Sequence, residues 1–164
     1  MPGIDEKDRE ILRILRGEGR VTLTELGRRV NLSPASVKNR LEKLEKIGAI
    51  RGYSTVVDPA FLEEYVSVFF ELKLAIDDHT VDPILRKVAG MENVESVYRR
   101  SGEKQILIKA HFHDTDGVKA FAGRLKRIFG KNLERVEVTL IIETFKENWI
   151  ISGRGGGTGS RGRH

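Results

Sequence analysis

Four neighbouring residues, Ala35, Ser36, Asn39 and Lys43, have the side chains that proteins use to read duplex DNA. An asparagine amide bonds adenine, small side chains allow a close approach to the bases, and a lysine ammonium binds phosphate. At about 100° per residue, they lie on the side of a helix opposite its apolar residues, which are Val37, Leu41, Leu44 and Ile47. The pattern predicts a recognition helix whose N-terminal half enters the major groove. The alternative is an ordinary amphipathic hairpin with solvated charges.

The elements that must position this helix are marked by capping and turn residues. Thr22 and Glu25 have the spacing of a capping box, which predicts the start of a preceding helix. Asn31 tolerates the positive φ of a tight turn. Ser33 and Pro34 then provide an N-cap hydroxyl and a proline at the first helical position. Residues 20–53 are therefore predicted to form a winged helix-turn-helix.

Charge is distributed as DNA contact requires. Residues 1–57 contain 12 Lys and Arg against 8 Asp and Glu, residues 58–152 contain 14 against 16, and residues 153–164 contain three Arg and no acid. Positive charge therefore accompanies the helix-turn-helix, and a sequence-independent cationic contribution dominates affinity for duplex DNA. The Gly/Arg-rich end has no apolar group to bury and is predicted to be disordered. It either adds non-specific nucleic-acid affinity or is a passive extension.

Other chemistries find little support in the residues. The chain has no cysteine, and His111 and His113, on one face of a predicted strand, are two ligands where a zinc site needs more, so we expect no metal and no cofactor. No nucleophile with its base, phosphate-binding glycine loop or paired carboxylates is recognisable, so we expect no enzymatic activity. No apolar run has membrane-spanning length and the first residues do not resemble a signal peptide, which predicts a cytoplasmic protein without a membrane partner.

A second domain is predicted from the periodicity of the remaining residues. Residues 65–75 alternate apolar and polar side chains, as expected of a strand with one buried face. Further along the chain, the pattern predicts a helix at 82–90, strands at 94–100 and 105–113, a helix from 114 to about 129, and a closing strand at 133–145. The order βαββαβ is typical of a ferredoxin-like sandwich with both helices on one face of the sheet.

The other face of that sheet carries apolar residues without a predicted cover. Tyr65, Phe69, Leu107 and Ile141 all point away from the helices. The simplest explanation is a two-fold dimer in which two sheets bury these faces and thereby place two recognition helices on two half-sites. The alternative is a monomer with an unusually apolar surface.

Residue order along most of the chain resembles the Lrp/AsnC (feast/famine) family of transcriptional regulators. The match extends nearly to residue 146, and its elements are Ile4-Asp5, Asp8, Ile11-Leu12, Gly19-Arg20, Leu32-Ser33-Pro34, Arg40-Leu41, Leu44-Glu45 and the run from Gly48 to Tyr53. Two residues depart from the family pattern: Gly27 replaces an alanine and Asn31 replaces the turn glycine. The resemblance implies a helix-turn-helix domain joined by a strand to an effector-sensing domain, assembled as a dimer and often as an octamer or larger ring.

The same resemblance implies an amino-acid effector near the turn between the second and third sheet strands. The family's wording there is Gly-Asp-x-Asp, and this chain reads Gly102-Glu103-Lys104-Gln105. Glu103 keeps an acidic group for an ammonium, whereas Gln105 replaces the second acid. The expected effector-binding residues are Ser101, Gly102, Glu103, Gln105 and Thr139. An ordinary charged hairpin turn is the alternative.

These observations predict an α+β protein with four regions: a helix-turn-helix domain at 1–52, a linker strand or hinge at 53–64, a ferredoxin-like sensing and oligomerisation domain at 65–146, and a Gly/Arg-rich tail at 147–164. The predicted function is a sequence-specific transcriptional regulator that binds DNA as a dimer or higher oligomer. An architectural protein that compacts DNA with little sequence choice is the alternative. The expected DNA-contacting residues are Thr22, Ser33, Pro34, Ala35, Ser36, Lys38, Asn39, Arg40, Lys43 and Arg51.

Overall fold

Three helices and a short β-hairpin form the first of two units in the computed structural model, which describes residues 3–152. This head unit comprises the chain up to Val56 together with residues from Phe145 onward, and the sheet unit is Val57–Thr144. In the head unit, α1 is Glu6–Gly17, α2 is Leu23–Val30 and α3 is Pro34–Lys46.

Each helix of the head unit begins at a side-chain cap. Asp5 and Asp8 form a reciprocal capping box at the start of α1, with 2.9 Å from the Asp8 N–H to Asp5 Oδ1. The Thr22 and Ser33 hydroxyls accept the backbone N–H groups of Glu25 and Ser36, at 3.2 and 3.1 Å. These two helix starts confirm the predicted ones, because the sequence placed an oxygen acceptor at both N-caps.

Two local predictions about these helices need correction. The Glu25 carboxylate does not complete a capping box with Thr22, because it forms ion pairs with Arg28 and Arg29, at 2.7 and 2.8 Å. Ile47 was predicted to be buried but is 49% exposed, since α3 ends at Lys46 and Ile47 is its C-cap. The small core beneath the helices consists of Ile11, Leu26, Val30, Val37 and Leu44.

The turn between α2 and α3 depends on two unusual residues. Asn31 adopts φ 55°, the left-handed conformation expected from the sequence. Gly27 is buried against the returning chain, and a Cβ at this position would lie 2.5 Å from the carbonyl oxygen of Leu32. That oxygen belongs to the backbone and cannot swing away as a flexible side chain does. The glycine is therefore required by the close approach of the turn.

The segment after α3 differs from the predicted linker strand. Residues 51–58 form neither helix nor strand, and Pro59–Leu62 is a turn of 3-10 helix. A strand must pair its N–H and C=O groups with a neighbour, and the described part of this single chain shows no ladder there.

The sheet unit has the predicted order of elements. Its strands are β1 (Val66–Leu74), β2 (Val94–Arg99), β3 (Ile106–Phe112) and β4 (Leu133–Leu140), with α4 (Asp82–Ala89) before β2 and α5 (Thr115–Phe129) before β4. The four strands pair antiparallel in the order β2-β3-β1-β4, which confirms the ferredoxin-like arrangement. Alternate residues of β1 and β3 are fully buried against both helices.

The end of the chain also differs from the prediction. Strand β4 ends at Leu140, five residues before the expected limit, and the predicted tail begins with structure: β5 (Lys146–Glu147) and β6 (Ile150–Ile151) form a hairpin. Asn148 and Trp149 make its two-residue turn with positive φ, and the Arg16 guanidinium lies 3.7 Å from the centre of the Trp149 ring. The predicted disorder of residues 153–164 lies outside the described residues.

Replacing Gly27 with alanine should destabilise the head unit, although alanine is the better helix former. Helix propensity favours alanine by about 1 kcal/mol, but the clash with the Leu32 carbonyl should outweigh it and leave a net loss of about 1–3 kcal/mol. Gly17→Ala is the matched control, because a Cβ there meets no atom within 4 Å. Urea unfolding followed by fluorescence of the only tryptophan, Trp149, measures both. A stabilised Gly27→Ala variant would show that the turn is not so tightly constrained.

Candidate DNA-binding and effector sites

The outward side of α3 carries the residues predicted to read bases. Ala35, Lys38 and Asn39 are exposed and Ser36 is half-buried. The Lys38 ammonium lies 3.8 Å from Glu42 Oε1, a loose pair between two well-exposed side chains that is weak in water. A small residue, an amide and a cation therefore face solvent together near the start of the helix.

The predicted cap residues Thr22, Ser33 and Pro34 serve first to start helices. Each cap hydroxyl accepts one backbone N–H and keeps its own proton as a donor that can bind a phosphate oxygen. Pro34 occupies the first turn of α3. Arg51 follows α3 in the irregular segment and is exposed.

Arg40 and Lys43, both predicted to contact DNA, bind the acids at the start of α1, and the Lys43 side chain remains 44% exposed. Arg40 Nη1 is 2.7 Å from Asp5 Oδ2 and 2.7 Å from Asp8 Oδ1, and Lys43 Nζ is 3.1 Å from Asp8 Oδ2. The Asp8 side chain is fully buried, whereas that of Asp5 is 54% exposed. These two cations of α3 are therefore paired within the protein.

The charges of this cluster stabilise one another. Burial raises the pKa of Asp8, but hydrogen bonds from Arg40, the Asp5 backbone and Lys43 outweigh it and leave the pKa below its ordinary value. The pKa of Arg40 is raised, and the hydrogen bond with Asp5 is the largest cause. From the sequence, Asp5 and Asp8 were recognisable as residues of the first helix region that match the family pattern. Nothing in the spacing connects them with Arg40, more than thirty residues later.

The predicted effector turn joins β2 to β3 and is held by side chains on both sides. Gly102 adopts φ 108°, and Ser101, Gly102 and Glu103 are exposed. Glu103 Oε1 lies 3.3 Å from Lys73 Nζ, which also contacts Glu134 at 3.1 Å. These two carboxylates, Glu134 before Glu103, raise the pKa of Lys73. The one acid of the turn is thus exposed but already has a cationic partner.

Gln105 is turned away from the exposed side of the turn. Its Oε1 accepts the N–H of Leu74 at 2.9 Å, beside the register shift of β1 against β4. Gln105 was predicted to contact the effector. In the structure its side-chain oxygen instead accepts the backbone N–H of Leu74, which would be costly to leave without an acceptor.

Thr139 is not beside the turn in this chain. It pairs with Phe69 across the sheet, whereas Gln105 contacts the far end of β1 at Leu74. At about 3.3 Å per residue, these levels of β1 are roughly 17 Å apart. Thr139 is exposed on the face without helices, so the structure groups Ser101, Gly102 and Glu103 on the exposed side of the turn, with Gln105 beside them but directed at β1.

The open sheet face carries the four predicted interface residues and one further aromatic side chain. Phe69, Leu107 and Ile141 are half-buried, and Tyr65, 61% exposed, packs edge-on against the His113 ring at 5.3 Å. Tyr98, which sequence reasoning did not select, pairs with Leu107 and is 55% exposed on this face. Its position on an edge strand gave no strong periodic signal.

Beside these apolar residues lies an ionic cluster in which Lys109 and His111 are buried and Glu95 is partly exposed. Glu95 Oε2 is 2.9 Å from Lys109 Nζ and 2.7 Å from His111 Nε2, and the other ring nitrogen of His111 is 2.7 Å from the Ser67 hydroxyl. Burial raises the pKa of Glu95, but the hydrogen bonds with His111 and Lys109 outweigh it, so the pKa is lowered.

The second histidine of the strand faces a backbone group. His113 Nδ1 lies 3.0 Å from the carbonyl oxygen of Glu63. Among residues 3–152, no three His, Cys, Asp or Glu side chains are grouped in a way that could hold a metal ion. Over the same range, none of the helices has the length and apolar character needed to cross a membrane.

Comparison with known families divides the chain much as the two units do. A model described as winged helix-turn-helix DNA-binding matches residues 4–51, and one described as the Lrp/AsnC ligand binding domain matches residues 67–150.

Individual relatives match over nearly their full length. An HTH-type transcriptional regulator of Pyrococcus furiosus is 43% identical over 92% of this chain and 98% of that protein. The leucine-responsive regulatory protein of Escherichia coli is 31% identical over 84% of this chain and 85% of that protein. Among solved structures, the feast or famine regulatory protein of M. tuberculosis complexed with L-methionine superposes with a TM-score of 0.77 at 26% identity, covering 88% of this chain and 96% of that one.

Proposed function

The chain belongs to the Lrp/AsnC family of transcriptional regulators, and on that premise we propose that it binds specific DNA sites as a dimer or larger assembly under the control of a small effector. The observation that carries this proposal is the outward side of α3, where Ala35, Lys38 and Asn39 are exposed together. Such a surface fits the major groove, because an amide there distinguishes adenine from the other bases.

The residues of α3 have different roles in this proposal, according to the contacts that each one makes. Asn39 reads a base edge, and Lys38 binds phosphate since only a loose pair with Glu42 holds it. Arg51 and the cap hydroxyls of Thr22 and Ser33 add backbone contacts that fix the register of the helix on the duplex. Arg40 and Lys43 contribute mainly through the orientation of α3, since both are bound to Asp8.

Two-fold assembly through the open sheet face is the second part of the proposal. Phe69, Leu107, Tyr98 and Ile141 supply its apolar area, and two helix-turn-helix heads then reach two half-sites. An octamer or other ring built from such dimers is a further step of the same proposal, and the solution mass of the full chain measures it.

Asn39→Ala and Lys38→Ala should weaken DNA binding in different ways. Asn39→Ala should remove discrimination at one base-pair position, by about 1–3 kcal/mol. Lys38→Ala should weaken binding to all DNA sequences alike. It should also reduce the slope of log K against log[salt] by about the contribution of one phosphate contact. Footprinting and titration of the full chain on its own promoter DNA and on random DNA measure both effects. Uniform protection of random DNA without a preferred site would favour the architectural alternative and refute sequence-specific regulation.

The effector is proposed to be an amino acid bound near the turn at Ser101, Gly102 and Glu103. Two observations on relatives support this class: one is named for its response to leucine and another is complexed with L-methionine. In this chain, Glu103 is the exposed acid of the turn, and it can hold an ammonium group while the backbone at Gly102 allows a carboxylate to approach.

A panel of the standard amino acids should contain at least one that changes the solution mass or the promoter affinity of the full chain. Glu103→Gln should abolish this response, because the ammonium loses its partner. Glu134→Gln is the matched control, since Glu134 also contacts Lys73 but lies on β4 outside the turn. If no amino acid acts, or if both variants lose the response equally, the proposed effector site is wrong while DNA binding stands.

A further inference from the structure

Two acids at the start of α1, Asp5 and Asp8, pair with cations of the proposed recognition helix α3. Arg40 Nη1 is 2.7 Å from one oxygen of Asp5 and 2.7 Å from one oxygen of Asp8, and this short, charge-assisted geometry is the one arginine forms with phosphate oxygens. Asp8 completes the pairing with Lys43 on the next turn of α3. Two cations of a DNA-reading helix are thus neutralised from within the chain.

The two acids differ in what their loss would do. Asp8 is fully buried and joins Arg40, Lys43 and the backbone N–H of Asp5, so its carboxylate is part of the packing of α1 against α3. Asp5 is 54% exposed, and its carboxylate faces solvent beside Arg40, whose side chain remains 25% exposed. Asp5 is therefore the acid that an incoming phosphate would meet.

Pairing of this kind affects the two modes of DNA binding unequally. Non-specific binding depends almost entirely on phosphate contacts, and the protein samples many orientations in which any available cation is used. In the specific complex, base contacts fix α3 in one orientation, and Arg40, about 100° around the helix from Asn39, is on the side of α3 that contacts the start of α1. A carboxylate beside Arg40 removes a contact that mainly the non-specific mode would use.

We propose that Asp5 is a specificity-determining residue, whose carboxylate masks Arg40 from phosphates and so lowers affinity for random DNA more than for the regulator's own site. This inference rests on the proposed function. Masking would also account for two features of the head unit: its overall excess of positive charge, and the ion pairs that bind Arg40 and Lys43 of its recognition helix within the chain.

Asp5→Asn tests the proposal without removing the helix cap. Asparagine is as good an N-cap as aspartate, and its carbonyl oxygen can still accept the Asp8 N–H that Asp5 Oδ1 now accepts. Glu10→Gln is the matched control: it removes the same charge from α1, where Glu10 pairs with Lys7 at 2.9 Å. Thermal unfolding of both full-length variants verifies that they fold.

The expected result is a gain in random-DNA binding that is specific to Asp5→Asn. Its slope of log K against log[salt] should steepen by up to about 0.9, with a gain in random-DNA affinity of about threefold at low salt. Affinity for the promoter site should rise by a smaller factor, so the specificity ratio falls. Adding Arg40→Gln to Asp5→Asn should cancel the gain, because the unmasked cation is then absent.

Three outcomes would overturn the proposal. Equal changes in Asp5→Asn and Glu10→Gln would show a general charge effect, equal gains on promoter and random DNA would show masking without specificity, and a gain that persists with Arg40→Gln would identify another cation. Failure of the proposed function is a different result: the unmodified full chain would then show no preference for its promoter over random DNA.

Discussion

A buried carboxylate on α1 is the constraint on which the DNA-reading head depends. Asp8 is fully enclosed, and a buried charge is tolerated only when partners with good geometry compensate its desolvation. Arg40 and Lys43 of α3 and the backbone at Asp5 supply those partners. Among the described residues of this unit, five buried apolar side chains form the core and eight partly buried ones pack against it, and apolar packing of this kind sets the angle between α1 and α3 without a directional contact. The ionic contact adds a directional link between α1 and α3, the helix that carries Asn39.

The sheet unit has the larger apolar core, and its second face is the one through which we propose that two protomers assemble. Alternate residues of β1 and β3 pack against both helices, which fixes the register of the strands. On the open face, Glu95 joins Lys109 and His111, so the charges there are paired within the chain. Phe69 and Leu107 on this face are half-buried, and their neighbours across the strands are charged: Phe69 pairs with Lys109 and Leu107 with Glu71. A second sheet packing on this face would bury apolar area without leaving an isolated charge.

Sequence reasoning identified features whose cause is local. The caps at Thr22 and Ser33, the left-handed Asn31 and the alternation of β1 are each set by a few neighbouring residues. Contacts between distant residues could not be predicted: the partners of Asp8 on α3, the use of the Gln105 amide by Leu74, and the stacking of Arg16 on Trp149. The linker strand was expected from the resemblance, but a strand requires a pairing neighbour, and residues 51–58 have none within the described range 3–152.

A double-mutant cycle between Asp8→Asn and Arg40→Gln tests most directly whether this contact holds the recognition helix. The free energy of unfolding of the head unit is measured for the four full-length proteins by urea titration, with Trp149 fluorescence as the signal. Each single variant should be destabilised by about 1–3 kcal/mol, and the double variant should lose at least about 1 kcal/mol less than the two single losses combined. Additive losses, within about 0.5 kcal/mol, would show that the two residues act independently and would contradict the account.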